Sequence, residues 1–94
     1  MDFEWDESKR RANIRKHGID FVDAATIFEG KIVVIPDDRF EYEETRYIAF
    51  GLLKGQVIKV IVVAYTERGE KIRIISARKA LKHEENFYFQ EITD

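Results

Sequence analysis

The sequence predicts an α+β domain: two N-terminal helices, a four-stranded and largely antiparallel sheet, and a C-terminal helix. Three observations carry this. The first thirty residues contain two segments bracketed by helix-capping residues, Asp6 to Gly18 and Asp20 to Gly30. The stretch Val57–Thr66 is the strongest strand of the chain, its residues alternating between two faces. Glu67-Arg68-Gly69 then reads as a short hairpin turn into a further strand.

Each element follows from its residues. Asp6 caps a helix running from about Glu7 to Lys16, and His17-Gly18 stops it, with Gly18 suited to a left-handed C-cap. Lys9, Arg10, Arg11, Arg15 and Lys16 leave only Ala12 and Ile14 as apolar interior positions. Phe3 and Trp5 before this helix, and Ile19 and Phe21 after it, must therefore pin it down. Asp20 starts a second short helix, with Asp23 placed as in a capping box and Phe21, Ala24, Ala25 and Phe28 as its buried stripe. Ile32 to Ile35 reads as a strand closed by Pro36-Asp37-Asp38, and Glu41 to Glu44 as an acidic loop.

Arg46 to Leu52 supplies the second strand and Leu53-Lys54-Gly55-Gln56 a turn. In the Val57–Thr66 strand, Val57, Lys59, Ile61, Val63 and Tyr65 share one face, and Ile58, Val60, Val62 and Ala64 the other. Glu70 to Ala77 returns, and a last helix spans about Arg78 to Glu91 with Leu81, Phe87, Tyr88 and Ile92 facing inward. The order is ααββββα, with the helices covering the apolar face of the meander. No linker, repeat or low-complexity tract interrupts it, so residues 1–94 read as a single domain.

Composition narrows the function. There is no cysteine, hence no disulfide framework and no thiolate nucleophile. No apolar run approaches the roughly 18 residues that span a bilayer, and the N-terminus Met1-Asp2-Phe3-Glu4-Trp5-Asp6 is acidic where a signal peptide is basic. A cytoplasmic protein without membrane contact is expected. The net charge of −2 argues against an indiscriminate coater of DNA. Yet from Arg68 to Lys82 there are six Lys or Arg residues and one acid, Glu70. A cationic field placed in an acidic chain suits a polyanion or an acidic partner.

Within that field Arg73 lies inside a strand, on the face opposite Ile72 and Ile74. If Tyr65 opposes Lys71 across the hairpin, Val63 opposes Arg73, and Tyr65, Lys71 and Arg73 share a face. Such a face presents a guanidinium fork to phosphate with a phenol beside it. Arg68 sits at the hairpin tip and Arg78 where the last strand meets the last helix, with Lys79 next to it. His17 follows Lys16 at a helix C-terminus, where the helix dipole favours a cation. His83 falls on the solvent side of the last helix, and the pairs Asp37-Asp38 and Glu43-Glu44 read as solvated turn charges.

No HExxH, phosphate-loop or nucleophile-elbow spacing occurs, so neither a metal nor an organic cofactor is expected. Arginines, lysines, tyrosines and a histidine suffice for one metal-free reaction. An RNA 2′-hydroxyl can attack the adjacent phosphate when arginine neutralises the developing charge and the reacting oxygens are held in line. This requires Arg68, Arg73 and Arg78 to converge around one phosphodiester.

The chain also resembles the BrnT family of toxins from bacterial toxin–antitoxin pairs. The resemblance begins with Phe3-Glu4-Trp5-Asp6, Lys9, Asn13, Lys16-His17-Gly18-Ile19, Phe21, Ala24 and Phe28. It continues through Asp38-Arg39, Glu44-Thr45-Arg46, Gly51 and Val62-Val63-Ala64-Tyr65-Thr66-Glu67-Arg68-Gly69. Its most specific part is Arg73-Ile74-Ile75-Ser76-Ala77-Arg78-Lys79-Ala80, followed by Glu84 and Tyr88. The resemblance implies a compact RelE-like fold and a ribonuclease that inhibits translation. It also implies a dimeric ribbon-helix-helix antitoxin, BrnA, through which DNA is mainly contacted. It lends weight to His17, Arg68 and Arg78, and some to Lys16, Arg73 and Tyr65. Taken with the cationic hairpin, the candidate catalytic residues are His17, Arg68, Arg73 and Arg78, and the candidate substrate contacts Lys16, Tyr65, Lys71 and Lys79. One departure stands out: after Glu84 the family commonly carries another basic residue, where this chain has Glu85-Asn86. The alternative reading is a catalytically weak or silent antitoxin-binding protein acting in transcriptional autoregulation.

Overall fold

The computed structural model describes residues 1–39, 41 and 43–93. A helix, α1, spans Glu7–His17; the Asp6 carboxylate accepts from the Ser8 and Lys9 amides at 2.9 and 3.1 Å. Gly18 ends it at φ 71°, its N–H donating to the Ile14 carbonyl. The second helix, α2, covers Phe21–Ala24 and runs directly into a 3₁₀ helix over Ala25–Glu29. Asp20 caps it through the Val22 amide. Both N-caps and both glycine stops therefore lie where the local sequence puts them, because capping is decided within one turn. Of the expected acidic loop, Tyr42 lies outside the described residues.

Before α1 there is a strand that the sequence reading omits: β1, Asp2–Glu4. The remaining strands are β2 (Val33–Pro36), β3 (Arg46–Leu53), β4 (Lys59–Arg68) and β5 (Lys71–Lys79). The sheet has five strands in the order β1-β5-β4-β3-β2, with β1 parallel to β5 and the others antiparallel. The helix α3 spans Lys82–Thr93, so Arg78 and Lys79 belong to the last strand rather than to the helix. At the hairpin, Arg68 pairs with Lys71 and the turn is Gly69–Glu70, with Gly69 at φ 61°. Glycine meets that positive φ without strain.

Helices cover both faces of the sheet, not one. On the first face Ile19, after α1, Phe21 and Ala24 of α2 and Ile27 of the 3₁₀ helix pack onto Ala49, Ile61, Val63, Tyr65, Ile72, Ile74 and Ala77. Trp5 meets Phe21 edge-on and Phe3 packs on Phe28, which is how so polar a helix is held. Gly51 lets the 3₁₀ helix approach β3: a Cβ there would lie 2.8 Å from the Ile27 Cβ. The second face buries Phe50, Val60, Val62, Ala80 and Tyr88, with Phe87 and Ile92 of α3 packed against them. Leu81, expected inside, is exposed.

Asn13 joins α1 to the sheet. Its side-chain amide donates to the Ile19 and Ala77 carbonyls at 2.9 and 2.8 Å, and its carbonyl accepts from the Ala77 N–H at 3.1 Å. It thus acts on β5 as a neighbouring strand would, beyond the point where β1 stops pairing.

Candidate functional site

The register of the β4–β5 hairpin arranges the cations. Arg68 pairs with Lys71, Glu67 with Ile72, Thr66 with Arg73 and Tyr65 with Ile74. The register then shifts: Ala64 pairs with Ser76, leaving Ile75 as an extra residue on β5. This β-bulge inverts the alternation of faces beyond it. Arg73 and Arg78 are five residues apart and in an unbroken strand would point to opposite faces. With the bulge, their partners are Thr66 and Val62, four apart on β4 and therefore on one face. Arg68, Lys71, Arg73 and Arg78 all lie on the second face, on the side that α3 caps at one end.

The expected sharing of a face by Tyr65, Lys71 and Arg73 does not form. Tyr65 opposes Ile74, not Lys71, and is buried in the first-face core, stacked on Tyr47 and edge-on to Phe28. Burial pushes its phenol pKa up, with the Glu67 charge adding to the effect. The reason is the two-residue turn, which displaces the register three residues from the assumed pairing, an odd number that exchanges the faces. Lys16 and His17 are exposed on α1, which Asn13 holds to the backbone of β5; no hydrogen bond or ion pair among the described residues joins either side chain to the arginines. Lys79 closes β5 opposite Ile61 and lines a groove with Glu85 and Phe89. The sequence thus brings four of its eight candidates onto one surface and leaves four elsewhere.

Each of the three arginines meets a carboxylate. Arg73 Nη1 donates to Glu4 Oε2 at 2.7 Å, tying β1 to β5. Arg78 makes a bidentate pair with Glu84, 2.8 Å from each nitrogen. Arg68 lies a loose 3.6 Å from Glu44, and both side chains are well exposed. An exposed, poorly aligned pair of that kind exchanges cheaply for another anion. Cavities of 590 and 370 Å³ lie at the α3 end of the sheet, and none of these arginines lines either. The cationic site is an open face rather than a cleft.

Glu84 has a second task. Its carboxylate accepts the Leu81 amide at 2.8 Å at the start of α3, so one side chain caps the helix and orients Arg78. The Arg78 hydrogen bonds, helped by the Leu81 amide and opposed by burial, hold the Glu84 pKa down at about 2. The same pairing raises that of Arg78. A carboxyl whose folded pKa is depressed contributes stability that is complete above its unfolded value, near 4.5, and is lost as pH falls through the folded one. The stability difference between the native chain and Glu84→Gln, read from urea midpoints, should therefore shrink steadily from about pH 4.5 to about pH 2. A difference independent of pH would show that Glu84 acts by shape alone.

The sequence reading left Arg46 and Arg39 unassigned. Arg46 opens β3 opposite Thr66, which itself opposes Arg73, so it belongs to the same face. Pairing of β3 with β4 across the expected turn at 53–56 was the available signal. Among the described residues no group of three or more His, Cys, Asp or Glu side chains is arranged to hold a metal ion. None of their helices is long and apolar enough to cross a membrane.

A family model described as the ribonuclease toxin BrnT of type II toxin–antitoxin systems matches residues 5–84. This chain belongs to the BrnT family. A solved relative, the Brucella abortus ribonuclease toxin BrnT, is 33% identical over 87% of this chain and 99% of its own, with a TM-score of 0.63. A comparison with curated proteins gave no match. The BrnT match runs from Trp5, just after β1, to Glu84, and so takes in α1, α2, the 3₁₀ helix, β2 to β5 and the Arg78–Glu84 pair, with only the start of α3. The α+β architecture is that of the RelE-like BrnT fold.

Proposed function

We propose that this chain is a metal-independent endoribonuclease toxin that inhibits translation in the cytoplasm and is neutralised by a BrnA-like ribbon-helix-helix antitoxin. In that pairing DNA is contacted mainly through the antitoxin. The observation that carries the reading is the bulge that puts Arg73 and Arg78 on one sheet face in a chain of the BrnT family. A face built of guanidinium groups repels a divalent cation and attracts phosphodiester oxygens.

The chemistry needs only RNA itself. The 2′-oxygen attacks phosphorus and the P–O5′ bond breaks, leaving a 2′,3′-cyclic phosphate and a 5′-hydroxyl. Arg73 and Arg78 donate to the non-bridging oxygens, where charge grows most in the transition state. Arg68 and Lys71, at the hairpin end of the same face, hold the strand. Arginine stays protonated, so the 2′-hydroxyl proton passes to water and O5′ receives one from water; His17 and Lys16, exposed on α1 and off the arginine face, take no part in this transfer.

The test is RNA incubated with purified chain in excess chelator. Cleavage should proceed, Arg78→Ala should abolish it while the chain stays folded, and His17→Ala should leave it within a few-fold of native. Full activity of folded Arg78→Ala would remove Arg78 from the mechanism, and a large loss in folded His17→Ala would bring α1 into the site. One observation favours the silent-scaffold alternative: Arg73 and Arg78 are each held by a carboxylate, and Glu85-Asn86 stands where the family commonly has a base. That reading predicts antitoxin binding with intact RNA.

A further inference from the structure

One cross-strand row of the second face has arginines at both flanks of Thr66. Arg46 opposes Thr66 and Thr66 opposes Arg73, which lies beside Glu4 on β1. The row extends outward past β3. Pro36 opposes Tyr47, and the Asp37 N–H donates to the Arg46 carbonyl at 2.9 Å, so Asp37 continues the ladder opposite Arg46. Read across the sheet, the row is Asp37, Arg46, Thr66, Arg73, Glu4. Two strand spacings separate the arginine backbones, about 10 Å.

Asp37 brings in a further cation. Its side chain is only 2% exposed, while Arg39, bonded to it through Nε at 2.8 Å and Nη2 at 3.1 Å, is 63% exposed. A buried carboxylate gripping an exposed guanidinium by two nitrogens fixes the direction of the fork and so lowers the entropy lost when it binds an anion. Arg39 is also close enough to Arg78 for their charges to oppose each other. Neither Arg39 nor Arg46 belongs to the cationic hairpin; both come from the β2–β3 side of the sheet.

We infer that Arg39, oriented by Asp37, and Arg46 form a second phosphate subsite, holding the RNA phosphate next to the one that Arg73 and Arg78 engage. The substrate is then single-stranded RNA laid across the strands from β5 towards β2, and a dinucleotide fills only part of the site. This rests on the RNA-cleaving reading above, but binding alone can test it.

The probe is a 2′-O-methyl RNA oligonucleotide of about eight nucleotides, which lacks the attacking hydroxyl. Its affinity is followed by fluorescence anisotropy against salt, on the native chain, Arg39→Ala, Arg46→Ala and Asp37→Asn. Each arginine variant should weaken binding about tenfold and reduce the magnitude of the log–log salt slope by about 0.7. Asp37→Asn should weaken binding as Arg39→Ala does, and the double variant no further. In cleavage assays the arginine variants should raise KM on a cleavable oligonucleotide about tenfold, with kcat and dinucleotide cleavage within about twofold.

Should Asp37→Asn unfold, Arg39→Lys serves instead: it keeps the charge, so the slope should persist, but it loses the fork, so affinity should fall. Salt slopes unchanged in both alanine variants would overturn the subsite. So would dinucleotide cleavage falling in step with oligonucleotide cleavage, since that marks a merely structural arginine. If no RNA is cut but the slopes fall, the nuclease reading fails and the subsite stands.

Discussion

Replacing Arg73 with alanine should lower RNA cleavage about 10²–10³-fold, the loss seen when one preorganised donor to a developing oxyanion is removed. Arg73 is suited to that role by its place. It sits on β5, two residues past Lys71 at the hairpin turn, half-buried, with Nη1 held by Glu4 at 2.7 Å and no other side-chain bond among the described residues. Its remaining N–H groups can meet a phosphate without first breaking the anchoring pair. The fold should survive the change, because Glu4 and Arg73 are both more than a quarter exposed, and pairs near solvent contribute about 1 kcal/mol or less. Arg73→Lys should fall between, keeping charge while losing the fork. The measurement is kcat/KM on a defined RNA in chelator, with circular dichroism to show that the variant is folded. Native rates in folded Arg73→Ala would take this residue out of the site.

The largest effect on stability should come from Asn13→Leu. The substitution is close in volume but removes three buried hydrogen bonds at once, orphaning the Ala77 N–H and the Ala77 and Ile19 carbonyls. Each orphaned buried group costs about 1–3 kcal/mol, so a loss of about 3 kcal/mol or more is expected. For a chain of this size that is a fall in Tm of roughly 12–24 °C. Asn13 is 6% exposed and holds the backbone of Ala77, the residue before Arg78, at the edge of β5. A Tm within a few degrees of native would mean that water replaces the lost partners.

Several elements were legible in the sequence for a plain reason: their causes are local. Asp6 and Gly18 bracket α1 by bonds that span at most four residues. The two faces of β4 follow from alternation alone, with Ile61, Val63 and Tyr65 in one core and Val60 and Val62 in the other. β1 was hidden because its three residues, Asp2, Phe3 and Glu4, have no hydrophobic period, and its pairing with β5 joins positions about seventy apart. Arg78 was placed in a helix because the strand's extra length shows only in its pairing with Val62. Asn13 drew notice through its place in the family pattern, but nothing near it in the chain announces that its partner is Ala77.

The residue string by itself determined the order of elements, their caps, the inside and outside of the central strand and the presence of a cationic hairpin. Which cations face the same way was left to the three-dimensional pairing. Ile74-Ile75-Ser76 contains no glycine or proline to mark a bulge, yet one unpaired residue there reverses the parity of everything after it. Side-chain alternation has a period of two, so a single extra residue moves Arg78 from the far face to the face of Arg73, and a shifted turn moves Tyr65 away from it.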